Sequence, residues 1–292
     1  MSRRFALLVN PASAGGRALK ALPAVHAELD RLGATHRTAI TRSIQHAESE
    51  AERAADSNET IVALGGDGLL RPLASVLRGR DCALALVPCG RGNDLARVLG
   101  VPTDPTEAAR TAVEGRERPL DVADVDGTPF MGIASFGFDS DANRVANQAK
   151  LVRGKAVYLY AALRALISWR PARFTLTVDG ECHEVVGFSA GVANSRAYGG
   201  GMFVAPQAEL DDGLLDVVAV GEVSKLRFLV RLLPKVFAGS HLSEPYVHAW
   251  RGESIEVASD RPFVIYADGD PIAATPATVR VQARCLRVIV PA

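Results

Sequence analysis

The sequence lacks any stretch of the roughly 20 consecutive apolar residues that a helix needs to cross a bilayer. Its longest apolar stretch, Ala156 to Trp169, is broken by Arg164. The opening residues MSRRFALLVNP hold only a short apolar run before Asn10-Pro11, too short for the core of a secretory signal. Cysteine is scarce: Cys82, Cys89, Cys182 and Cys285 stand far apart with no CxxC spacing. That excludes a disulfide framework or a cysteine-held zinc and suits reduced thiols in a cytoplasm. The six histidines, His26, His36, His46, His183, His241 and His248, show neither HxxxH nor HExxH spacing, so they are read as non-metal residues. An excess of one charge is missing as well. The 33 basic and 33 acidic residues cancel, and nothing global calls for a nucleic acid. No GxxxxGK(S/T) occurs, which removes the P-loop and its phosphate-cradling lysine.

What is present is apolar material. Of the 292 residues 48% are hydrophobic and 23% charged, a composition that folds. The length is generous for one domain, so two domains sharing one cleft are expected. The first hundred residues alternate strand and helix signals. FALLV precedes GRALKALPAVHAELDRL, closed by Gly33; HRTAIT precedes a helix near His46 to Ala55; TIVAL leads into GGDG and a helix; CALALVP leads into CGRGND and a helix closed by Gly100. This is the grammar of a parallel α/β sheet. After about residue 120 short β-like runs with Asp-Gly turn signals take over, as in DVADVDGTPFMGI, FTLTVDGECHEVV and LLDVVAV. A second, antiparallel β-rich domain is expected, interrupted by helical inserts at about 141–168 and 224–238, with Trp169 and Trp250 as packing anchors.

Two glycine-rich turns sit where strands end and helices begin, the place where open α/β sheets bind ligands. In Gly65-Gly66-Asp67-Gly68 the glycines permit close phosphate approach and Asp67 orients magnesium or its waters; the plain alternative is a tight turn with a capping aspartate. Pro88-Cys89-Gly90-Arg91-Gly92-Asn93-Asp94 repeats the logic, with Asp94 either capping the next helix or acting with Asp67 on a metal-bound phosphate.

With these motifs the chain resembles the diacylglycerol kinase and sphingosine kinase family of lipid kinases, whose nucleotide domain is similar to those of NAD kinases and phosphofructokinases. The resemblance runs nearly end to end. It takes in Asn10-Pro11 with Ser13 and Gly15-Gly16, Thr41, the GGDG and GND loops and Asp121. It continues through Phe136-Gly137-Phe138-Asp139, Asn194, Tyr198-Gly199-Gly200-Gly201, the segment from Pro206 to Asp216, and Asp268-Gly269-Asp270. The resemblance implies an N-terminal NAD-kinase-like α/β nucleotide domain over residues 1–122, to which the closing segment 283–292 is able to return. It also implies a C-terminal β-rich, sandwich-like lipid kinase domain over 123–282, with ATP in the cleft between the two.

The same resemblance implies Mg-ATP held by Asn10, Pro11, Thr41, Gly65, Gly66, Asp67, Gly68, Gly90, Arg91, Asn93, Asp94 and Asp121. It implies Asp268 or Asp270 as the base that takes the proton of a lipid hydroxyl. It further implies a structural Mg²⁺ on the carboxylate of Asp212 and the backbone carbonyls of Glu209 and Leu214. By itself that spacing also fits an Asp-Gly turn before a strand. The expected reaction is transfer of the γ-phosphate to a diacylglycerol-like lipid by a cytoplasmic protein that meets the inner membrane face transiently; a homodimer is compatible.

Departures from the family pattern are specific. Leu69 replaces the threonine after GGDG, Arg71-Pro72 replaces Asn-Glu, Arg91 replaces the threonine of GTGND, and Asp270 replaces the glutamate of DGE. Arg91 either adds charge to the phosphate cradle or blocks it. Two other readings follow: a non-catalytic nucleotide or lipid sensor of the same fold, and a kinase of a soluble substrate such as NAD.

The segment Ser224 to Ala238 reads as a helix capped by Ser224, with Leu226, Leu229, Val230, Leu233 and Phe237 as the core face. Arg227, Arg231 and Lys235 form a basic row beside a further apolar strip, Phe228, Leu232 and Val236, an arrangement suited to a membrane interface. The run Lys155 to Trp169, with Tyr158, Leu159, Ala162, Leu163 and Leu166, is read as core.

Overall fold

The computed structural model describes residues 3–148 and 156–292. The chain divides into two units, Met1–Val122 with Ala283–Ala292, and Ala123–Gln282.

The first unit is built on parallel strands in the order β2 (Thr35–Ile40), β1 (Arg4–Val9), β3 (Glu59–Gly65) and β4 (Ala83–Pro88). The inner three read as apolar runs because both faces are covered: Phe5 to Val9, Ile61 to Leu64 and Ala83 to Val87 are all buried. The edge strand β2, THRTAI, is polar and partly exposed. Arg287 and Val288 lie parallel to Ala83 and Leu84 of β4, so the last residues of the chain complete this sheet.

The helices follow from period and caps. In α1 (Arg17–Arg31), Ala18, Ala21, Val25 and Leu29 recur at helical spacing and are buried. Ser43 caps α2 (Ile44–Asp56) by accepting the His46 N–H at 3.1 Å. α3 (Leu70–Leu77) and α4 (Asp94–Val98) follow the glycine turns. α5 (Pro105–Glu114) was not anticipated above. Its signal is local: the Asp104 carboxylate accepts the Thr106 and Glu107 N–H groups, each at 3.0 Å, and Pro105 takes the first helical position.

The second unit is antiparallel in every pairing that joins its strands. Three Asp-Gly pairs make tight turns with both residues at positive φ. Asp126-Gly127 joins β5 (Arg116–Val125) to β6 (Thr128–Phe130), and Asp179-Gly180 joins β8 (Ala172–Val178) to β9 (Glu181–Ala193). Asp268-Gly269 joins β13 (Val264–Ala267) to β14 (Asp270–Ala274). β7 (Ile133–Gly137) and β10 (Leu215–Gly221) both pair with the second half of β9, and β8 pairs with its first half. Phe130, Phe136, Phe174 and Phe188 are fully buried in the core, where Trp169 also lies buried under the Arg261 guanidinium.

The expected insert of residues 141–168 comprises α6 (Phe138–Gln148) and α7 (Ala156–Ser168). Lys155 and the side chains of Tyr158 and Leu159 lie outside the described residues. α7 is core on one face only: Ala161, Ala165 and Leu166 are buried, whereas Leu163 and Ile167 are exposed.

The second insert forms as expected, with the Ser224 hydroxyl accepting the Arg227 N–H at 3.3 Å. Its buried face, however, is the other apolar strip. Phe228 and Leu232 are buried while Leu226, Val230 and Phe237 are exposed. The Phe228 ring explains the choice, since it stacks on Phe188 at 4.5 Å and meets Phe138 edge-on at 5.0 Å. The helix widens to a π-turn over Phe228–Leu232, ahead of Pro234, whose nitrogen has no hydrogen to give to the Val230 carbonyl. Among the described residues no helix is long and apolar enough to cross a membrane.

Candidate functional site

β3 ends at Gly65, and β4 ends at Pro88. Between each strand end and its helix the backbone turns sharply: through a single 3₁₀ turn, Asp67–Leu69, in the first loop, and through Asn93 at φ 52° in the second. The two loops are tied together. The Cys89 N–H donates to the Gly65 carbonyl at 2.7 Å, and the Asp94 N–H donates to Asp67 Oδ1 at 3.0 Å. The Gly90 N–H donates to Asn93 Oδ1 at 2.7 Å, which holds the second loop closed on itself.

Gly66 and Gly90 are packed backbone to backbone: a Cβ on Gly66 would lie 2.8 Å from the Gly90 Cα, and one on Gly90 2.5 Å from the Gly66 Cα. Gly92 is pressed between two carboxylates, since its Cβ would lie 3.0 Å from Asp67 Oδ2 and 3.1 Å from Asp94 Oδ2. Asp67 and Asp94 therefore converge on one small volume. Burial, and next the Asp94 charge, push the Asp67 carboxyl above its ordinary pKa, against the pull of backbone N–H groups from Asn93 to Leu95. Arg97 steadies Asp94 at 2.5 Å and also donates to the Gly92 carbonyl at 3.0 Å.

The turn after β1 joins the same assembly. The Asn10 N–H donates to the Leu64 carbonyl at 3.0 Å, Asn10 Oδ1 accepts the Ala12 N–H at 3.1 Å, and the Ser13 hydroxyl donates to the Cys89 carbonyl at 3.2 Å. Pro11 is half-buried in this turn. Thr41 is buried and its hydroxyl donates to the Val9 carbonyl at 3.0 Å, so it fastens β2 to β1. Beside the loops there is room: a Cβ on Gly15, Gly16 or Gly68 would meet nothing within 4 Å. A small hollow beneath them is lined by Gly65, Gly66, Asp67, Pro88 and Asn93.

Asp121 stands on β5, outside both glycine loops. It is fully buried and its Oδ1 accepts the Arg284 N–H at 2.7 Å, where Arg284 stands at φ 50°. Of the departures from the family pattern, Arg91 is exposed and Leu69 is buried against Gly65. Pro72 is buried in α3.

In the second unit Asp268 turns at φ 52° and its carboxylate spans two backbone donors: Met131 N–H to Oδ2 and Gly132 N–H to Oδ1, each at 2.9 Å. A Cβ on Gly132 would lie 2.4 Å from Asp268 Oδ1, so only glycine allows this seat. The Asn194 amide donates to the Met131 carbonyl at 3.2 Å, and the Asn194 and Ser195 N–H groups donate to the Gly132 carbonyl. Met131-Gly132 was missed as a functional pair; its signal is a glycine placed just before β7, meaningful only once the chain brings Asp268 to it. Asp270 opens β14 and is half-buried. On α6, Asn143 donates to the Tyr198 hydroxyl at 3.1 Å, and burial pushes the Asp139 carboxyl up to about 6.

At the Pro206–Asp216 segment, Asp212 Oδ1 accepts the Leu214 N–H at 3.0 Å, while Oδ2 faces the Arg251 guanidinium. Arg251 sits opposite Asp216 on the neighbouring strand and also reaches its carboxylate at 3.3 Å. The cation that meets Asp212 here is the Arg251 guanidinium. Glu209 is exposed. Among the described residues no three His, Cys, Asp or Glu side chains are grouped to hold a metal.

Residues 4–125 match the diacylglycerol kinase catalytic domain family, and residues 132–290 match the YegS C-terminal NAD kinase beta sandwich-like domain. The chain is 34% identical to a diacylglycerol kinase of Mycobacterium tuberculosis, over 97% of this chain and 94% of that protein. It is 33% identical to a probable lipid kinase YegS-like protein of Pseudomonas aeruginosa, over 80% and 77%. The crystal structure of a diacylglycerol kinase from Bacillus anthracis superposes with a TM-score of 0.77 at 22% identity, covering 99% of this chain and 97% of that one, which establishes the shared fold.

Proposed function

Because the chain belongs to the diacylglycerol kinase family of lipid kinases, we propose that it transfers the γ-phosphate of Mg-ATP to a hydroxyl of diacylglycerol or a closely related lipid, working from the cytoplasm as a peripheral protein. The observation that carries this reading is the convergence of Asp67 and Asp94 on Gly92 beside two glycine loops in backbone contact.

Phosphoryl transfer depends on positioning and charge neutralisation more than on covalent chemistry from the protein. Hard oxygen donors suit Mg²⁺, and Asp67 with Asp94 would hold it. When bound, the ion neutralises charge on the phosphates. The bare backbone of Gly66, Gly68 and Gly90 lets phosphate oxygens approach N–H groups that a side chain would shield. Asn10 and Ser13 fix the third turn of the same assembly. Asp268 or Asp270 accepts the proton of the lipid hydroxyl. The Met131 and Gly132 N–H groups fix the Asp268 carboxylate in place but also lower its basicity, while Asp270 stands half-buried two residues on. One placement supports retained catalysis: Leu69 is buried against Gly65 and so does not fill the open space beside Gly68.

The test is transfer of labelled phosphate from Mg-ATP to a panel of neutral lipids in mixed micelles. Asp67→Asn is expected to weaken Mg-nucleotide binding, and Asp268→Asn to lower kcat by roughly 10² to 10⁴ while nucleotide still binds. If Asp270→Asn alone abolishes transfer, the base is Asp270. If nucleotide binds and no lipid is labelled, the protein is a sensor; formation of NADP from NAD would make it a kinase of a soluble substrate.

A further inference from the structure

The helical segment of residues 225–238 is apolar on two faces, and only the Phe228–Leu232 face is buried. The other leaves Leu226 73%, Val230 66% and Phe237 51% exposed. α7 does the same with Ile167, which is 73% exposed, Leu163 and Tyr160. Ile167, Leu226 and Val230 are the three most exposed large apolar side chains among the described residues. The two elements adjoin, since Lys225 Nζ donates to the Ile167 carbonyl at 3.0 Å. Their buried sides share one core, where the Phe188 ring packs against both Phe228 and Trp169. Single exposed apolar residues are ordinary, whereas a patch drawn from two neighbouring helices marks a contact surface.

The charge around the patch identifies the partner. Every charged residue within α7 and residues 225–238 is basic: Arg164, Lys225, Arg227, Arg231 and Lys235. Arg231 and Lys235 are partly neutralised by the buried Glu244, whose carboxyl they hold down at about 2, chiefly through Lys235. Glu222 precedes the segment in the chain, and α6, packed against α7, carries Asp139 and Asp141, the latter paired with Arg144. Even so the patch is cationic in a chain with 33 charges of each sign. An apolar strip rimmed by cations fits a surface with an apolar interior and an anionic face.

We propose that this face docks on an anionic bilayer, with Leu226, Val230 and Ile167 entering the interface and Arg164, Lys225 and Arg227 lying against lipid phosphates. The inference rests on the lipid kinase reading, and states how such an enzyme reaches its substrate.

The test uses the full chain and sedimentation with vesicles, either pure phosphatidylcholine or phosphatidylcholine mixed with phosphatidylglycerol, without diacylglycerol or nucleotide. Wild type is expected to bind the anionic vesicles and to release as salt rises. Leu226→Ser with Val230→Ser is expected to weaken binding at least tenfold, and Arg164→Gln with Arg227→Gln to flatten the salt dependence. Val186→Ser, at an exposed position on β9, serves as the control that leaves binding unchanged. Circular dichroism and sedimentation velocity accompany each variant. Equal binding by the patch variants overturns the inference. So does a wild-type dimer that the patch variants split while no vesicle is bound, because the face then belongs to a second copy. Transfer to lipid in detergent micelles is measured in parallel. Transfer without patch-dependent binding removes the docking face and leaves the kinase reading; patch-dependent binding without transfer does the reverse.

Discussion

Gly66 and Gly90 touch through their backbones, and neither has room for a methyl group: the two imagined Cβ positions lie 2.8 and 2.5 Å from the opposing Cα. The same pair of loops brings the Asp67 and Asp94 carboxylates to the point where a Gly92 Cβ would stand, tied by the Asp94 N–H to Asp67 Oδ1. Gly90→Ala, whose Cβ would also lie 2.7 Å from Asn93 Oδ1, is expected to force the loops apart at a cost of about 1–3 kcal/mol. Both thermal stability and nucleotide affinity should fall. Gly68→Ala offers the contrast, since its Cβ meets nothing within 4 Å. If phosphates fill that open space, Gly68→Ala weakens binding of a fluorescent ATP analogue roughly tenfold or more with the melting temperature unchanged. An unaltered affinity would place the phosphates elsewhere.

Asp67 links the site to pH. Burial and the Asp94 charge raise its carboxyl pKa, so its proton is held more tightly in the fold than in the unfolded chain. The sign follows directly. Without metal, this group's contribution to stability is present at low pH and is lost as pH rises through the raised value. Metal needs the ionised form, so affinity for Mg-nucleotide is expected to fall on acidification at a higher pH than an ordinary carboxylate would show. Calorimetric titrations between about pH 4.5 and 8 should show this fall together with proton release on binding at its acid end. Asp67→Asn should bind weakly with most of that dependence removed. A wild-type profile flat across the range would show that Asp67 is not a ligand.

How much of this was legible in the sequence depends on the distance over which each signal acts. The Asp-Gly turns at 126 and 179 and the Ser224 cap are decided by neighbours in the chain and form as read; the Ser43 cap and the turn at Asp268-Gly269 are equally local and were not named. The two glycine loops were legible as strand-to-helix turns for the same reason. Their backbone contact was not, because it joins residues from different βα units. The helix of residues 225–238 carries apolar residues on two faces, and its pattern alone cannot tell which one meets Phe188 and Phe138. The seat of Asp268 on Met131 and Gly132 spans more than 130 residues of chain and has no local trace. Asp121, which the family pattern implies as part of the Mg-ATP site, accepts the Arg284 N–H, a contact across more than 160 residues that has no local trace either.

The pairing of Arg251 with Asp212 and Asp216 bears on the structural magnesium that the family pattern implies. Arg251 stands directly across from Asp216 in the β10 pairing and is held there by register, with its guanidinium reaching Asp212 at the turn. Burial raises the Asp216 carboxyl pKa, and Arg251 draws it back. Arg251 thereby sets a fixed positive charge against both carboxylates. Chelation of the wild type is therefore expected to leave its melting temperature unchanged. Arg251→Met removes charge-assisted hydrogen bonds worth about 1–2 kcal/mol, a fall of about 3–6 °C. Millimolar Mg²⁺ should then restore part of the loss in the variant and none in the wild type, as read by differential scanning calorimetry with and without chelator. If chelation instead lowers the wild-type melting temperature, the ion shares Asp212 with Arg251, and the turn holds both.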